Sequence, residues 1–392
     1  MLRNNFRIWY VGGEDVHMRI PLLNALRKRG FNVGTLGSEN GAAFKEHGIE
    51  YYRYPLNRSL HPLSDLKSIY ALIKLFRKHK VDIVHAFDTK PALFVPIAGF
   101  LTGVPVVMRT IAGMGYVFST KELLALTLKP IYRLFQKIIS LLTDMTVFQN
   151  QDDSNYFLAH GMVEKDRQQI VLSSGIDLTF FDSKGVEFQR LPGLRDELGI
   201  SQKVVIILVS RLVRYKGIVE YMDAARMIRK EYPNTVFLLV GPRESEGKQA
   251  VPAGLIEQYS DDILYLGKRN DIRELLAISD IFVLPSYYRE GVPRVLLEAG
   301  AMGLPLVTTD MPGCRDVVRD SWNGLLVPPR DIKALAGSIA WLIRNKDQRK
   351  LMGERNKSYI RMNFNLDLVA DAYAELYRKL LEKKCTKQLL DE

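Results

Sequence analysis

The sequence predicts an α/β protein of two domains, each a parallel sheet with helices on both faces. Three observations predict it. Short apolar runs alternate with amphipathic segments throughout the chain, the βαβα order of a parallel sheet. The alternation breaks once, in a polar stretch, and then restarts. At 392 residues the chain is long for one core and comfortable for two.

In the first half, "FRIWYVGG" reads as a strand ending in glycines and "MRIPLLNALRKRG" as a helix closed by Gly30. "FNVGTLG" is a strand, "SDLKSIYALIKLFRKHK" a helix and "VDIVHAF" a strand. "KPALFVPIAGFLTG" is a helix, "VPVVMRT" a strand, and "TDMTVFQN" and "QQIVLSSG" complete the series. The stretch "DLTFFDSKGVEFQRLPGLRDELGIS" is polar and punctuated, as a linker with one short helix would be. "KVVIILVSRL" then restarts the pattern as a strongly buried strand, followed by "TVFLLVG", "ILYLG", "IFVLPS" and "PLVTTD" with helices between. The expected division is a first domain over 1–185 and a second over 186–365. A last helix over 366–392 is expected to cross back to the first domain. Ligands of open α/β sheets bind beyond the carboxyl ends of the strands, so two such sheets are expected to face a shared cleft.

Composition narrows the function. An apolar share of 47% and a charged share of 25% suit a soluble globular protein. The longest apolar stretch, "VPIAGFLTGVPVVM", is broken by Pro and Gly and is too short to span a bilayer. The beginning, "MLRNNFRIWYVGG", reads as a first strand rather than a signal peptide. Cys314 and Cys385 are too few for a disulfide framework, and no zinc-type spacing occurs, so a reduced, cytoplasmic protein is expected. The net charge of +11 calls for an anionic partner: nucleic acid, acidic lipid or a phosphorylated small molecule. No zinc-finger, RNA-recognition or basic-zipper signature supports nucleic acid.

The chemistry concentrates in two stretches. "SRLVRYKG" (210–217) follows the first strand of the second half. Arg211 and Lys216 flank its turn and Gly217 opens the next helix, an arrangement suited to a diphosphate. Alone, this octapeptide could equally be a solvated basic loop. The second stretch is "YYREGVPRVLLEAG" (287–300), where Glu290 and Glu298 stand with seven residues between them. Glu298 lies among apolar neighbours, and burying an unpaired carboxylate costs several kcal/mol. We expect no protein cation to satisfy it, and therefore a ligand's hydroxyl groups. Gly291 permits close approach of a ligand, and Pro293 suits a first helical turn. The N–H groups around Val292, Arg294 and Val295 would then point at an anion. A basic pair for phosphates and an acidic pair for hydroxyls together describe a sugar nucleotide.

These residues resemble the Glu-x(7)-Glu signature of retaining glycosyltransferases with the GT-B fold, in particular glycosyltransferase family 4. "SRLVRYKG" resembles that family's Arg/Lys diphosphate motif, and residues 265–331 resemble its nucleotide-binding half almost throughout. The resemblance implies two Rossmann-like domains. It implies that Arg211 and Lys216 bind the donor diphosphate, Glu290 the donor sugar and Glu298 the ribose, with Lys268 and Arg269 near the base. Gly12 and Gly13 resemble the family's glycine loop that meets the donor from the first domain. "KPALFVPIAGFLTGVPVVMRTIAGMGYVFST" looks most like enzymes that extend polyprenyl-diphosphate-linked glycans in bacterial surface polysaccharide or glycoprotein pathways. Many members carry a His in the region matching "MRTIAGMG"; here Arg109 and Ala112 stand there, and no catalytic base is assigned.

The implied activity is transfer of a hexose or N-acetylhexosamine, with retention, from a UDP-sugar to a polyprenyl-linked acceptor. The rivals are a soluble transferase with a small cytosolic acceptor and an inactive nucleotide-sugar-binding regulator. No Asp-x-Asp motif occurs, so metal-independent catalysis without a cofactor is expected. His17, His61 and His85 have no metal partner at helical spacing and read as structural or loop residues. Lys90, just past a strand, is a minor candidate for a phosphate.

"KELLALTLKPIYRLFQKIISLL" (121–142) is apolar with a basic stripe of Lys129, Arg133 and Lys137. A basic amphipathic helix can lie on an anionic membrane surface. Its bland alternative is an apolar face packed on the sheet under solvated charges. With the charge of +11 and the lipid-linked resemblance, peripheral association with the inner face of the cell membrane is expected.

Overall fold

The computed structural model describes residues 6–57, 61–115, 118, 123–182, 190–243 and 249–391. The chain divides into two compact units, 1–175 with 366–392, and 176–365. Each is built on a wholly parallel sheet, the arrangement of two Rossmann-like α/β domains and of the GT-B fold class.

The first sheet comprises β1 (Arg7–Val11), β2 (Asn32–Gly37), β3 (Glu50–Arg53), β4 (Ile83–Ala86), β5 (Val106–Ile111), β6 (Met145–Phe148) and β7 (Gln168–Ile170). Their order is β3-β2-β1-β4-β5-β6-β7. Apolar side chains pack both faces. Ile8 and Tyr10 join one core with Leu22, Leu26 and Tyr373, while Trp9 and Val11 join another with Leu72, Phe76 and Val95. Alternate residues of one strand therefore feed opposite cores, which is why such strands read as continuous apolar runs.

The long last helix, Leu366–Asp391, packs against helix Ile20–Lys28. Its buried Tyr377 hydroxyl lies 2.5 Å from that of Tyr10 and 2.7 Å from His85 Nδ1. His85 Nε2 meets Thr110 Oγ1 at 2.8 Å. Complete burial holds the His85 imidazole well below its ordinary pKa, so it is a neutral member of a satisfied internal network.

The second sheet comprises β8 (Val204–Val209), β9 (Thr235–Val240), β10 (Leu264–Gly267), β11 (Ile281–Leu284), β12 (Leu306–Thr309) and β13 (Gly324–Val327). Their order is β10-β9-β8-β11-β12-β13. The chain leaves β8 toward β9 on one side and returns to β11 on the other. The loops after β8 and β11 therefore part at a topological switch point, where such sheets take their ligands. Two of these thirteen strands, β3 and β13, are not among the segments singled out from the sequence.

Helix Leu123–Leu141 departs from its expected orientation. Arg133 Nε donates to the Tyr156 hydroxyl at 3.0 Å, and Lys129 Nζ lies 5.8 Å from the centre of the Phe118 ring. Two members of the basic stripe thus turn back onto the protein. The apolar residues face outward instead, with Ile131, Leu134 and Leu141 exposed by 65%, 61% and 63%. Helix Pro91–Thr102 packs beside it and beside helix Pro62–His79. These neighbours expose Phe100, Leu63, Leu66 and Tyr70. Among the described residues no helix is long and apolar enough to cross a membrane.

Candidate active site

β8 delivers its chain end to Ser210 and Arg211, and a single 3-10 turn, Arg214–Lys216, aims the next side chains. Gly217 then starts helix Ile218–Glu231 with φ of +75°. A Cβ there would lie 2.2 Å from the Pro285 carbonyl oxygen, so only glycine lets this loop meet the end of β11 so closely. The two loops are laced together: the Tyr287 amide donates to the Tyr215 carbonyl at 3.0 Å, and the rings of Tyr215 and Tyr288 stack at 4.4 Å. Gly313 serves the loop after β12 in the same way. It has φ of +84°, and a Cβ would lie 1.6 Å from the Gly291 carbonyl oxygen.

This lacing brings Lys216 and Glu290 together. Lys216 Nζ lies 2.5 Å from Glu290 Oε2, and both side chains are only 15% exposed. The other carboxylate oxygen, Oε1, is 2.7 Å from the hydroxyl of the fully buried Ser286. Arg211 stands outside this pair on an exposed position, with Nη2 3.4 Å from the Tyr215 hydroxyl. The buried Cys314 thiol senses the Glu290 charge, and burial pushes it up to about 12. It stays protonated at neutral pH.

Glu298 corrects one expectation. It sits on the buried side of helix Arg294–Ala301, and its Oε1 accepts from Arg294 Nε at 2.8 Å. A protein cation therefore does satisfy it, at the i,i+4 spacing of one helix face. Burial raises the carboxyl above its ordinary value, and Arg294 opposes the shift. The expected role of Arg294 changes accordingly: its side chain serves Glu298, whatever its backbone N–H does. Pro293 also shifts by one position, standing as the residue before the first helical turn rather than within it. Gly291 and Pro293 are buried, and Val292 and Val295 half-buried.

Lys268 and Arg269 follow β10, at the edge of the sheet. Lys268 is exposed. Arg269 grips Asp271 through two hydrogen bonds of 2.8 and 2.5 Å, which holds that carboxyl below its usual range. In the other unit, Gly12 and Gly13 are fastened rather than loose. The Tyr54 hydroxyl donates to the Gly12 carbonyl at 2.8 Å, and the Gly13 amide donates to Asp88 Oδ2 at 2.9 Å. Arg109 lies wholly inside that unit, bonded to Gln136 Oε1 at 2.7 Å and Thr146 Oγ1 at 3.1 Å, and burial lowers it to about 10. Lys90 is paired with Asp65 at 2.5 Å.

Ser286 opens the stretch 286–293 that the sequence places just past a strand end, but its bond to Glu290 is a role that sequence reasoning did not assign. Its signal was available: a hydroxyl just past a strand end, four residues before Glu290.

Residues 193–359 match the family model "Glycosyl transferases group 1", and residues 7–146 match "Glycosyl transferase 4-like". Among curated relatives, N,N'-diacetylbacillosaminyl-diphospho-undecaprenol alpha-1,3-N-acetylgalactosaminyltransferase of Campylobacter jejuni is 26% identical over 376 residues, 95% of this chain and 98% of that protein. UDP-Gal:alpha-D-GlcNAc-diphosphoundecaprenol alpha-1,3-galactosyltransferase of Escherichia coli is 28% identical, over 90% of each chain. Among solved structures, a glycosyltransferase from Rickettsia africae superposes with a TM-score of 0.78 at 20% identity, covering 97% of this chain and 99% of that one. Anabaena HepE in complex with UDP gives 0.77 at 18% identity, covering 95% and 100%. The two family models fall on the two sheets in turn and together span most of the sequence: this chain belongs to the group 1 glycosyl transferases, with a glycosyl transferase 4-like domain ahead of the group 1 domain.

Proposed function

We propose that this glycosyltransferase moves a hexose or N-acetylhexosamine, with retention, from a UDP-sugar to a polyprenyl-diphosphate-linked glycan in bacterial surface polysaccharide or glycoprotein biosynthesis. The observation that carries the donor side is the Lys216–Glu290–Ser286 cluster at the β8/β11 switch point. It joins a cation suited to a diphosphate with a carboxylate suited to sugar hydroxyls. The acceptor side rests on the two relatives whose printed names specify undecaprenol-diphosphate-linked acceptors, matched over nine-tenths or more of their length. The name of the second also specifies UDP-Gal and an α-1,3 product.

In this reading the bond from the anomeric carbon to the UDP oxygen breaks while the acceptor oxygen bonds to that carbon from the same face. The departing phosphate takes the acceptor's proton. Lys216 and Arg211 stabilise the charge growing on the diphosphate, and Glu290 holds the sugar. Glu298 has two candidate tasks in sequence along its helix: it keeps Arg294 in place, and one of its oxygens receives a ribose hydroxyl. Gly12 and Gly13, Lys268 and Arg269 are assigned to the donor on resemblance alone. Catalysis is proposed to need no metal ion or cofactor.

The exposed apolar faces of helices Leu123–Leu141 and Pro62–His79 favour a lipid-borne acceptor over a small soluble one. A donor screen with mass analysis of a lipid-linked product tests the reading. In the active pair, Lys216→Ala lowers turnover by about 100-fold or more, the loss expected for one charge on a leaving group. Unchanged turnover by a folded variant overturns the assignment of Lys216.

A further inference from the structure

Each carboxylate oxygen of Glu290 has a partner in this cluster. Lys216 takes Oε2 at 2.5 Å and the Ser286 hydroxyl takes Oε1 at 2.7 Å. The first partner is the one the proposed function also assigns to the donor diphosphate. An ammonium cannot neutralise a phosphate and hold a carboxylate in the same geometry without being shared. A diphosphate carries more charge than one carboxylate, so it draws Lys216 toward itself. The bond from Ser286 to Oε1 does not depend on Lys216, so it can limit the rotamers of Glu290 and keep an oxygen presented to the sugar.

We infer that Ser286 is a positioning residue that keeps Glu290 aimed at the donor sugar once the diphosphate has taken Lys216. The inference rests on the donor reading given above. Ser286 is itself held firmly. Its side chain is completely buried, its carbonyl accepts a hydrogen bond from the Thr309 hydroxyl, and its Oγ accepts from the Tyr288 amide at 3.4 Å. Its one hydroxyl proton has two acceptors in reach, Glu290 Oε1 at 2.7 Å and the Tyr215 carbonyl at 3.2 Å. The shorter bond is to the charged acceptor, where hydrogen bonds are strongest. Serine at 286 is therefore set to follow the carboxylate, with the Tyr215 carbonyl as the alternative when Glu290 is absent.

The role separates UDP, which has no sugar, from a UDP-sugar. Ser286→Ala and the volume-keeping Ser286→Cys are compared with wild type in the full-length protein. UDP affinity is measured by calorimetry. Turnover is measured with UDP-galactose or UDP-N-acetylgalactosamine, whichever wild type uses. The expected result is UDP affinity within about threefold of wild type and kcat lower by about 10- to 100-fold, the loss typical of one hydrogen bond to a charged group. Ser286→Thr, which keeps the hydroxyl, restores most of kcat. A purely structural serine would weaken UDP binding and lower Tm in parallel with kcat. That pattern, or wild-type kcat in either hydroxyl-free variant, overturns the inference. If Ser286→Ala does not fold, Ser286→Cys decides by the same criteria. Wild-type protein that binds no UDP overturns the donor reading and the inference together; UDP binding with an unaffected kcat in the variants overturns the inference alone.

Discussion

Glu298 shows how a single side chain can be read in two ways until its neighbours are known. Its burial is real, but Arg294 one turn earlier on the same helix supplies the compensating charge. That spacing was present in the sequence as the i,i+4 pair Arg294–Glu298, and recognising it required only counting back along the helix. The pair is not fully buried on the cation's side: the Arg294 side chain is 31% exposed. Its stabilising worth is therefore below that of a closed internal ion pair. Burial is the largest cause of the raised Glu298 pKa, so the folded protein holds this proton more tightly than the unfolded chain. The sign follows. The folded state is favoured at this site below the ordinary value of 4.5, and that advantage is lost as pH rises through the raised value. Glu298→Gln removes the charge and keeps the shape. Its Tm relative to wild type should therefore increase from about pH 4.5 toward neutrality. If the second oxygen receives a ribose hydroxyl, the same variant loses most of the Tm increase that UDP gives wild type. Thermal melts with and without UDP at several pH values check both. A Tm difference that falls with rising pH would contradict the burial argument, and a full UDP response would remove Glu298 from the donor site.

At the scale of the element, the turn between β8 and helix Ile218–Glu231 depends on one glycine. Gly217 has both a left-handed backbone and a carbonyl oxygen where its Cβ would be. The left-handed conformation alone costs a residue with a Cβ about 1–2 kcal/mol, and the contact with Pro285 adds to it. Gly217→Ala is expected to destabilise the protein by more than about 2 kcal/mol. It should also part the Lys216 and Ser286 loops, so that UDP binding falls even in the molecules that remain folded. Chemical denaturation and calorimetry measure the two effects; wild-type stability would show that the loop shifts at little cost. The elements that were legible in advance share a physical property: β8 and β9 are buried on both faces and therefore read as unbroken apolar runs. β3, with the sequence "EYYR", is a partly exposed edge strand, and its charges hide it. β13 is only four residues long and begins with a glycine. The site was legible where loops follow central strands, as at Lys216 and Glu290. It was not where a partner comes from elsewhere in the fold, as with Thr309 bonding the Ser286 carbonyl, or where a cation is buried without a carboxylate, as with Arg109.

For the whole molecule, the charge of +11 and the exposed apolar helices act on the same kind of surface. The expectation from sequence placed the basic stripe outward and left the apolar residues either in the lipid or on the sheet. In the structure Arg133 and Lys129 turn inward, toward Tyr156 and Phe118. Ile131, Leu134 and Leu141 are the residues that meet solvent, beside an exposed Lys137. Helix Pro62–His79 repeats the combination, with exposed Leu63 and Leu66 and exposed Lys67, Lys74, Arg77 and Lys78. Binding to an anionic bilayer should then have two separable parts. The basic residues supply attraction, each adding about 1 kcal/mol near the surface, and salt screens it over about 8 Å at physiological ionic strength. The apolar side chains supply insertion, which salt does not screen. Co-sedimentation with vesicles containing phosphatidylglycerol is expected to fall as salt rises but to leave a residue of bound protein. Changing Ile131, Leu134 and Leu141 to Ser should abolish that salt-resistant part. Changing Arg133 to Glu should have less effect than changing Lys137 or Lys78, because Arg133 already has Tyr156 as its partner. Wild-type protein that remains in the supernatant at low salt would remove the membrane from the proposal and leave the exposed helices without a lipid role. The small-acceptor alternative would then be the better reading of the same donor site.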